Sequence, residues 1–271
     1  MKKLFTVFRI IFSLFGVFKY KTKVKREVYF IDKYFSYKGR RQDFKLKFKG
    51  AELITPWVPM ARVQLRSFFL NDEYGFRLKE NPVIIDAGSN IGIGLIYFNH
   101  TYKNPSLIAL EADKNIFNNY LKKNVNSYNL NKSVTLFNKA LWSSEGVLNF
   151  NATGLDNGSV SLSGKELVES ITLDSLIQTY GNIDLLKIDI EGAELEVFKS
   201  SKLLKQVKNI YVEMEMSVNQ DYENEIFQIL KNNSFKYYVR STTKHFKPDK
   251  MFNSTDDITY YMHIFAKRYE K

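Results

Sequence analysis

Between residues 82 and 216 short apolar runs alternate with helix-patterned stretches, and this alternation constrains the fold more than any other feature of the chain. PVIIDAGSNIGIG opens as an apolar strand, meets an acid, turns on glycines and runs into the helical LIYFNHTY. SLIALEAD gives a second strand ending in acid, a helix follows over 114–126, and SVTLFNKALW gives a third strand. WSSEGVLNF and the Gly/Asn/Ser-rich NATGLDNGSVSLSG read as a hairpin and a loop, and TLDSLIQTY begins a helix. LLKIDI is a fourth strand, AELEVFKSSKLLKQ a helix and NIYVEMEM a fifth strand. Strands alternating with helices predict an α/β fold, a mostly parallel sheet with helices on both faces. In such sheets ligands bind outside the carboxyl ends of the strands, near the point where strand order reverses.

That rule answers a question posed by IDLLKIDIEGAELEVF. A strand buried on both faces should avoid charge, yet this one carries Lys187 and Asp189 and runs into Glu191 and Glu194. Asp86, Glu111 and Asp189 all fall at predicted carboxyl ends of strands, so their charges converge on one crevice. Gly88, Gly92 and Gly94 let backbone approach a ligand closely and aim helix N-terminal N–H groups at it. An acid at the end of the second strand accepts hydrogen bonds from adjacent ribose hydroxyls, which makes nucleoside binding the first functional inference. Asp86, where the turn begins, repels a pyrophosphate and suits a cationic amino-acid or sulfonium cofactor, so S-adenosylmethionine is favoured over a dinucleotide.

The glycine spacing also occurs in short-chain dehydrogenases, which need a Tyr-x-x-x-Lys pair far downstream. Tyr29/Lys33 and Tyr34/Lys38 precede the turn and Tyr128/Lys132 lies too near it, so this NAD(P)-dependent alternative lacks its catalytic groups.

With 271 residues at 44% hydrophobic content, the chain suffices for one large domain, or one domain with a small N-terminal addition. The absence of cysteine excludes disulfides, thiolate nucleophiles and cysteine-ligated metal centres, and is compatible with the cytoplasm. Residues 1–49 hold 15 Lys/Arg against 3 Asp/Glu and residues 50–271 hold 25 against 26, so the net charge of +11 is entirely N-terminal. A nucleic-acid binder would spread positive charge over its core, whereas a localised basic segment reads as an arm or surface anchor. Leu4 to Phe18 is apolar and flanked by lysines, but its run of about 15 residues, interrupted by Arg9, falls short of the roughly 20 that span a bilayer. It reads as a helix lying in the anionic inner face of a membrane, or as one docked on the domain. DFKLKFKG suggests short strands, and Pro56 and Pro59 precede a helix at 60–70. The expected organisation is an N-terminal basic and aromatic extension, 1–59, before an α/β domain, 60–271.

The succession VIIDAGSNIGIG, IALEADKNIFNNYLKKN, NKALWSSEG, ESITLDSL, IDLLKIDIEGAELEVFKSS and IYVEMEM resembles the FkbM-type methyltransferases over roughly residues 60–216. The resemblance implies a Rossmann-like class I methyltransferase that uses S-adenosylmethionine, commonly on hydroxyls of sugars, glycolipids or other small metabolites. Carried over by position, Asp86, Gly88, Asn90 and Gly92, with Ser89 among them, bind the methionine side of the cofactor, Glu111 the ribose, and Ala140 and Leu141 the adenine. Ala112 stands where the family often has proline, and residues 1–59 and 217–271 match no family pattern, so the ends are expected to shape the acceptor site. A methyltransferase-like domain that binds nucleic acid or a scaffold through its arm is the other alternative; beyond the arm no aromatic-basic module supports it, and no nucleic-acid partner is expected.

Methyl transfer to a hydroxyl needs alignment and loss of a proton, and Asp189 and Glu191 are the expected catalytic carboxylates, with Asp189 alternatively stabilising the cofactor's cation. Lys187 either pairs structurally with a nearby carboxylate or serves the site. Glu194 and Glu196 read as helix-dipole partners or solvent contacts. His100, His245 and His263 have no family position behind them; His245 in STTKHFKPD is the candidate acceptor-side base, although a lone surface histidine is commoner. No His/Asp/Glu cluster has metal-ligand spacing, so no metal is expected.

Overall fold

The computed structural model describes residues 23–34, 42–155, 158–160, 163–216, 222–243 and 260–269. Helix α1 (Lys23–Tyr34) buries Val28 and Ile31. Strands β1 (Phe44–Phe48) and β2 (Ala51–Thr55) form an antiparallel hairpin whose alternate residues Leu46, Phe48 and Leu53 point inward. Helix α2 (Val58–Leu65) carries proline in its first turn and continues into a π-helical turn, Arg66–Leu70.

The alternating part follows as β3 (Val83–Ala87), α3 (Ile93–Thr101), β4 (Ser106–Leu110) and α4. The last runs as Lys114–Ile116, a π-helical turn Phe117–Leu121 and Lys122–Ser127, and leads to β5 (Val134–Phe137). A small second sheet comprises β6 (Ala140–Leu141), β7 (Gly146–Asn151), β8 (Ser159–Val160) and β9 (Glu166–Ile171). Then come α5 (Leu173–Tyr180), β10 (Leu185–Ile188), α6 (Glu194–Ser200) and β11 (Asn209–Met216). Helix α7 (Tyr222–Asn232) and strands β12 (Phe235–Thr243) and β13 (Tyr260–Arg268) complete the described chain.

The main sheet has the order β12-β13-β11-β10-β3-β4-β5, with β13 antiparallel to both neighbours and the other five, from β11 to β5, mutually parallel. Strand order reverses between β3 and β10, which places a crevice at their carboxyl ends. On one face Ile84, Leu107, Leu185 and Tyr211 pack with α1 to α4 and the hairpin. On the other, Ile85, Ile108, Leu186 and Val212 pack with α5, α6 and α7. Each fully buried aliphatic side chain contributes about 1.5–3 kcal/mol, which makes the two apolar layers the main support of the sheet.

Three sequence readings are corrected. The run read as one third strand divides into β5 and β6, in different sheets. At the break the Asn138 amide turns back to donate to the carbonyls of Glu111 and Ala112, at 2.8 and 3.1 Å. Strand β9 was not foreseen, because ELVESI alternates on a small sheet whose partner strands, β7 and β6, lie earlier in the chain beyond an intervening loop. The helix read over AELEVFKSSKLLKQ is shorter, ending at Ser200 before a separate 3₁₀ turn, Leu204–Gln206. The N-terminal segment set apart at residue 59 places α1 and the hairpin in the same core layer as α2 to α4. The apolar run Leu4 to Phe18 lies outside the described residues; among those described, no helix is long and apolar enough to cross a membrane.

Candidate active site

The turn between β3 and α3 is pressed into the sheet. Gly88 has φ +75°, and a Cβ there would lie 1.8 Å from the backbone oxygen of Asp189, so no other residue fits without moving β10. Gly88 and Ser89 both donate their N–H to the Leu110 carbonyl, at 3.0 and 2.9 Å, and the Ser89 hydroxyl donates to the Asp86 carbonyl at 2.7 Å. Asn90 takes a left-handed φ of +49°, which asparagine tolerates, and donates its N–H to Glu111 Oε2 at 2.8 Å. Gly92, at φ +86°, ends the turn and starts α3.

Sheet register sets the charges beside this turn. Asp86, Lys187 and Tyr211 are neighbours on β3, β10 and β11, so their side chains share one face. Lys187 is buried and donates to the carbonyl of Gly88 at 2.9 Å and of Ala87 at 3.3 Å. Its ammonium also lies 3.2 Å from Asp86 Oδ1 and 3.5 Å from Asp189 Oδ2. A buried cation is tolerable when it is paired and hydrogen-bonded, which explains the charges in an otherwise apolar strand and makes Lys187 a structural cation. Asp86 is 1% exposed, and neither carboxylate oxygen has a directed hydrogen bond among the described residues. Burial raises its carboxyl above the usual range, with Lys187 opposing. An unsatisfied buried carboxylate lining a crevice fits a cationic donor on a ligand.

The crevice encloses about 420 Å³ and is lined by all three strand-end acids. Glu111 accepts the N–H groups of Asn90 and Asp113, both at 2.8 Å; burial, against those two hydrogen bonds, pushes it up to about 7. Each of its oxygens keeps a second lone pair for a ligand hydroxyl. Asp113, which the sequence reading did not single out, caps α4 through Oδ1 and ties Gly154 N–H to Oδ2 at 2.9 Å. Buried Ala140 and Leu141, with Phe150 and Leu155, make an apolar wall from the small sheet. The ten sequence-chosen residues therefore fall on one side of the sheet end. All but Gly92 line the crevice itself; Gly92 shapes the turn, and its added Cβ would meet Leu121 Cδ1 at 2.9 Å.

Asp189 and Glu191 follow β10 and line the crevice. Burial, against Lys187 and together with the nearby carboxylates of Glu213 and Asp86, pushes Asp189 up to about 6. Glu191 has φ +59°; burial and the charges of Asp189 and Glu215 push it up to about 10, so it is a neutral acid at pH 7. Glu194 is buried and accepts the N–H groups of Ile190 and Gly192 at 3.0 and 3.2 Å, closing the turn that carries Glu191.

The opposite wall uses Glu213 and Arg240, which the sequence reading missed, and His263, which it set aside. Across the β11, β13 and β12 ladders Glu213, His263 and Arg240 stand side by side. Arg240 pairs with Glu73 at 3.1 Å, and all four line the crevice. NIYVEMEM carries Glu213 two residues beyond Tyr211, a signal for one face of a strand, but nothing local announces which distant strand lies opposite. His100 is exposed beside Lys49, and His245 lies outside the described residues. Among the described residues no His/Cys/Asp/Glu group has metal-binding geometry.

Comparison with known proteins places the chain. The Methyltransferase FkbM domain matches residues 86–237, which includes the glycine turn, Glu111, Asp189 and Glu213 but neither Arg240 nor His263. Methyltransferase sdnD of Sordaria araneosa is 29% identical over 175 residues, spanning 50% of this chain and 67% of that protein. Among solved structures, methyltransferase FkbM from Methylobacillus flagellatus KT aligns with TM-score 0.46 and 14% identity, over 76% of this chain and 54% of that one. Precorrin-6y C5,15-methyltransferase from Geobacter metallireducens GS-15 aligns with TM-score 0.46 and 14% identity, over 76% and 88%. With a central sheet wound as described and more than half its length matched, the chain is a Rossmann-like class I methyltransferase and belongs to the FkbM methyltransferase family.

Proposed function

We propose that this methyltransferase uses S-adenosylmethionine to methylate a hydroxyl on a sugar, glycolipid or other small acceptor. The observation that carries the reading is the buried, unsatisfied carboxylate of Asp86 beside a turn that admits only glycine, with Glu111 at the next strand end. Among the described residues every cation lining the crevice already has a carboxylate: Lys139 with Glu169 at 3.0 Å, Lys187 with Asp86, Arg240 with Glu73. Glu111, Asp113, Asp189 and Glu213 remain, so the crevice is net acidic and favours a cationic ligand.

When bound, the cofactor supplies an electrophilic methyl group on a positively charged sulfur. Asp86 would receive its amino group, Glu111 its ribose hydroxyls, and Ala140 and Leu141 would cover its base, with Ser89, Asn90 and Gly92 shaping the turn. Asp189, held by Lys187, presents a carboxylate where positive charge must be balanced; a neighbouring cation draws its pKa back down and keeps it ionised. Glu191, protonated and hydrogen-bonded to Glu215, adds no negative charge beside the acceptor. Holding an acceptor oxygen in line contributes up to about 7–11 kcal/mol in favourable systems.

The test is incubation of the full chain with methyl-labelled S-adenosylmethionine and a panel of glycosides, polyols, amines and thiols. Label recovered in a base-stable methyl ether supports the reading; label confined to amine or thiol acceptors overturns it. A membrane-proximal acceptor, held near the surface by residues 1 to about 26, is part of the proposal. Sedimentation with anionic vesicles should show binding that weakens with salt, and equal binding by a chain starting near residue 27 would refute that part.

A further inference from the structure

Tyr211, Glu213 and His263 form a hydrogen-bond chain on the acceptor wall that the roles above leave unused. The Tyr211 hydroxyl lies 2.8 Å from His263 Nδ1 and 3.2 Å from Glu213 Oε2, and Nδ1 lies 3.4 Å from that same oxygen. The donors can be assigned. Burial pushes Glu213 up, but its contacts with His263 and Tyr211 outweigh it and hold the carboxyl below its usual value, so Glu213 accepts. Burial raises Tyr211 well above the phenol range, so its O–H is retained and points at Glu213. With that O–H given to Glu213, the Tyr211 oxygen is placed to receive Nδ1–H at 2.8 Å, the arrangement that leaves Nε2 of His263 as an acceptor. No partner for Nε2 occurs among the described residues, and the ring lines the same crevice as Asp189.

We propose that His263 Nε2 takes the proton of the acceptor hydroxyl, with Tyr211 and Glu213 as positioning residues that fix its tautomer; this rests on the methyltransferase reading above. The hydroxyl oxygen forms the new C–O bond as the C–S bond breaks, and the bonding pair leaves on sulfur, which becomes a neutral thioether. The hydroxyl proton moves to Nε2, and the resulting imidazolium faces the Glu213 carboxylate. The other groups around the ring are Arg240, across the β12/β13 ladder and matched by Glu73, and Tyr74, whose ring is tilted 54° to that of Tyr211 and whose hydroxyl shares a hydrogen bond with it. Asp189 is the rival base. Beside a cationic cofactor and Lys187 it stays ionised as a counter-charge, whereas His263 has its own carboxylate behind it.

Long-range proton–nitrogen spectra of the full chain, which has three histidines, read the tautomer without any acceptor. The expected spectrum has His263 as Nδ1–H with an unprotonated Nε2 at neutral pH, and Tyr211→Phe loses that preference. With an acceptor from the panel, His263→Ala should lower kcat by about 100-fold or more, leave S-adenosylhomocysteine affinity unchanged and recover activity in added imidazole. If His263→Ala does not fold, His263→Asn, whose amide donates from the position of Nδ1, should show the same kcat loss. An Nε2–H tautomer in the wild type, or full kcat in a folded His263 variant, overturns the proposal alone. A wild type that binds no S-adenosylhomocysteine overturns the methyltransferase reading and this proposal with it.

Discussion

On the β3/β4 side of the crevice, main chain holds the site: Glu111 accepts two backbone N–H groups, and Gly88 and Ser89 hang from one carbonyl. On the β11/β13 side, side chain holds side chain, through Tyr211, Glu213 and His263 and through the Arg240–Glu73 pair. The first wall is set by a turn of a few residues, so its geometry travels with its local sequence. The second depends on register between β11 and β13, whose facing residues Glu213 and His263 are fifty positions apart. Backbone-held polar groups leave little to vary, whereas a side-chain wall can be altered without disturbing the fold. That division suits one fixed ligand and one variable ligand.

The comparison breaks most severely at the residue both walls share. Lys187→Met should leave Asp86 as an uncompensated buried charge beside the partly exposed Asp189 and lower unfolding free energy by about 3–5 kcal/mol, measured by urea denaturation. A loss below about 1 kcal/mol would mean that the cation is not what holds the two carboxylates. Asp189→Asn should keep most of the thermal stability and lose about 100-fold in kcat, since the counter-charge matters to the transfer more than to the fold. Full turnover in this variant would remove Asp189 from the transfer step.

Glu191 gives a pH-dependent contrast of intermediate size. Its carboxyl titrates near 4.5 when unfolded and about 10 when folded, so between those values the folded chain holds a proton that the unfolded chain has released. Stability from this group is present below pH 4.5 and falls as pH rises. Glu191→Gln, which mimics the protonated acid, should raise Tm above wild type at pH 8, with the gap closing toward pH 4.5. Identical Tm curves would show that Glu191 is ionised in the fold. The smallest effect belongs to the rim of the acceptor wall. Arg240→Met breaks a partly exposed ion pair and should cost less than about 1 kcal/mol, while changing kcat/KM among acceptors.

How far the sequence could be read follows the same division. VIIDAGSNIGIG and IALEAD disclosed the turn, Asp86 and Glu111, because a strand, a tight glycine turn and a helix are written in contiguous residues. The charges of LLKIDIEGAE pointed to the crevice, but the role of Lys187 emerged only once β3 and β10 were seen in register. Glu213, Arg240 and His263 were passed over, since β12 and β13 lie beyond the alternating pattern and antiparallel register cannot be inferred from either strand alone. Strand β9 escaped for the same reason.

Calorimetric titration of S-adenosylhomocysteine into wild type, Glu111→Ala and His263→Ala tests the two-walled crevice most directly. We expect wild type and His263→Ala to bind alike, and Glu111→Ala to bind at least about tenfold more weakly, since its carboxylate makes charge-assisted hydrogen bonds worth about 1.5–3 kcal/mol each. Equal affinity for all three, or a loss confined to His263→Ala, would contradict the assignment of the nucleoside to the β3/β4 wall.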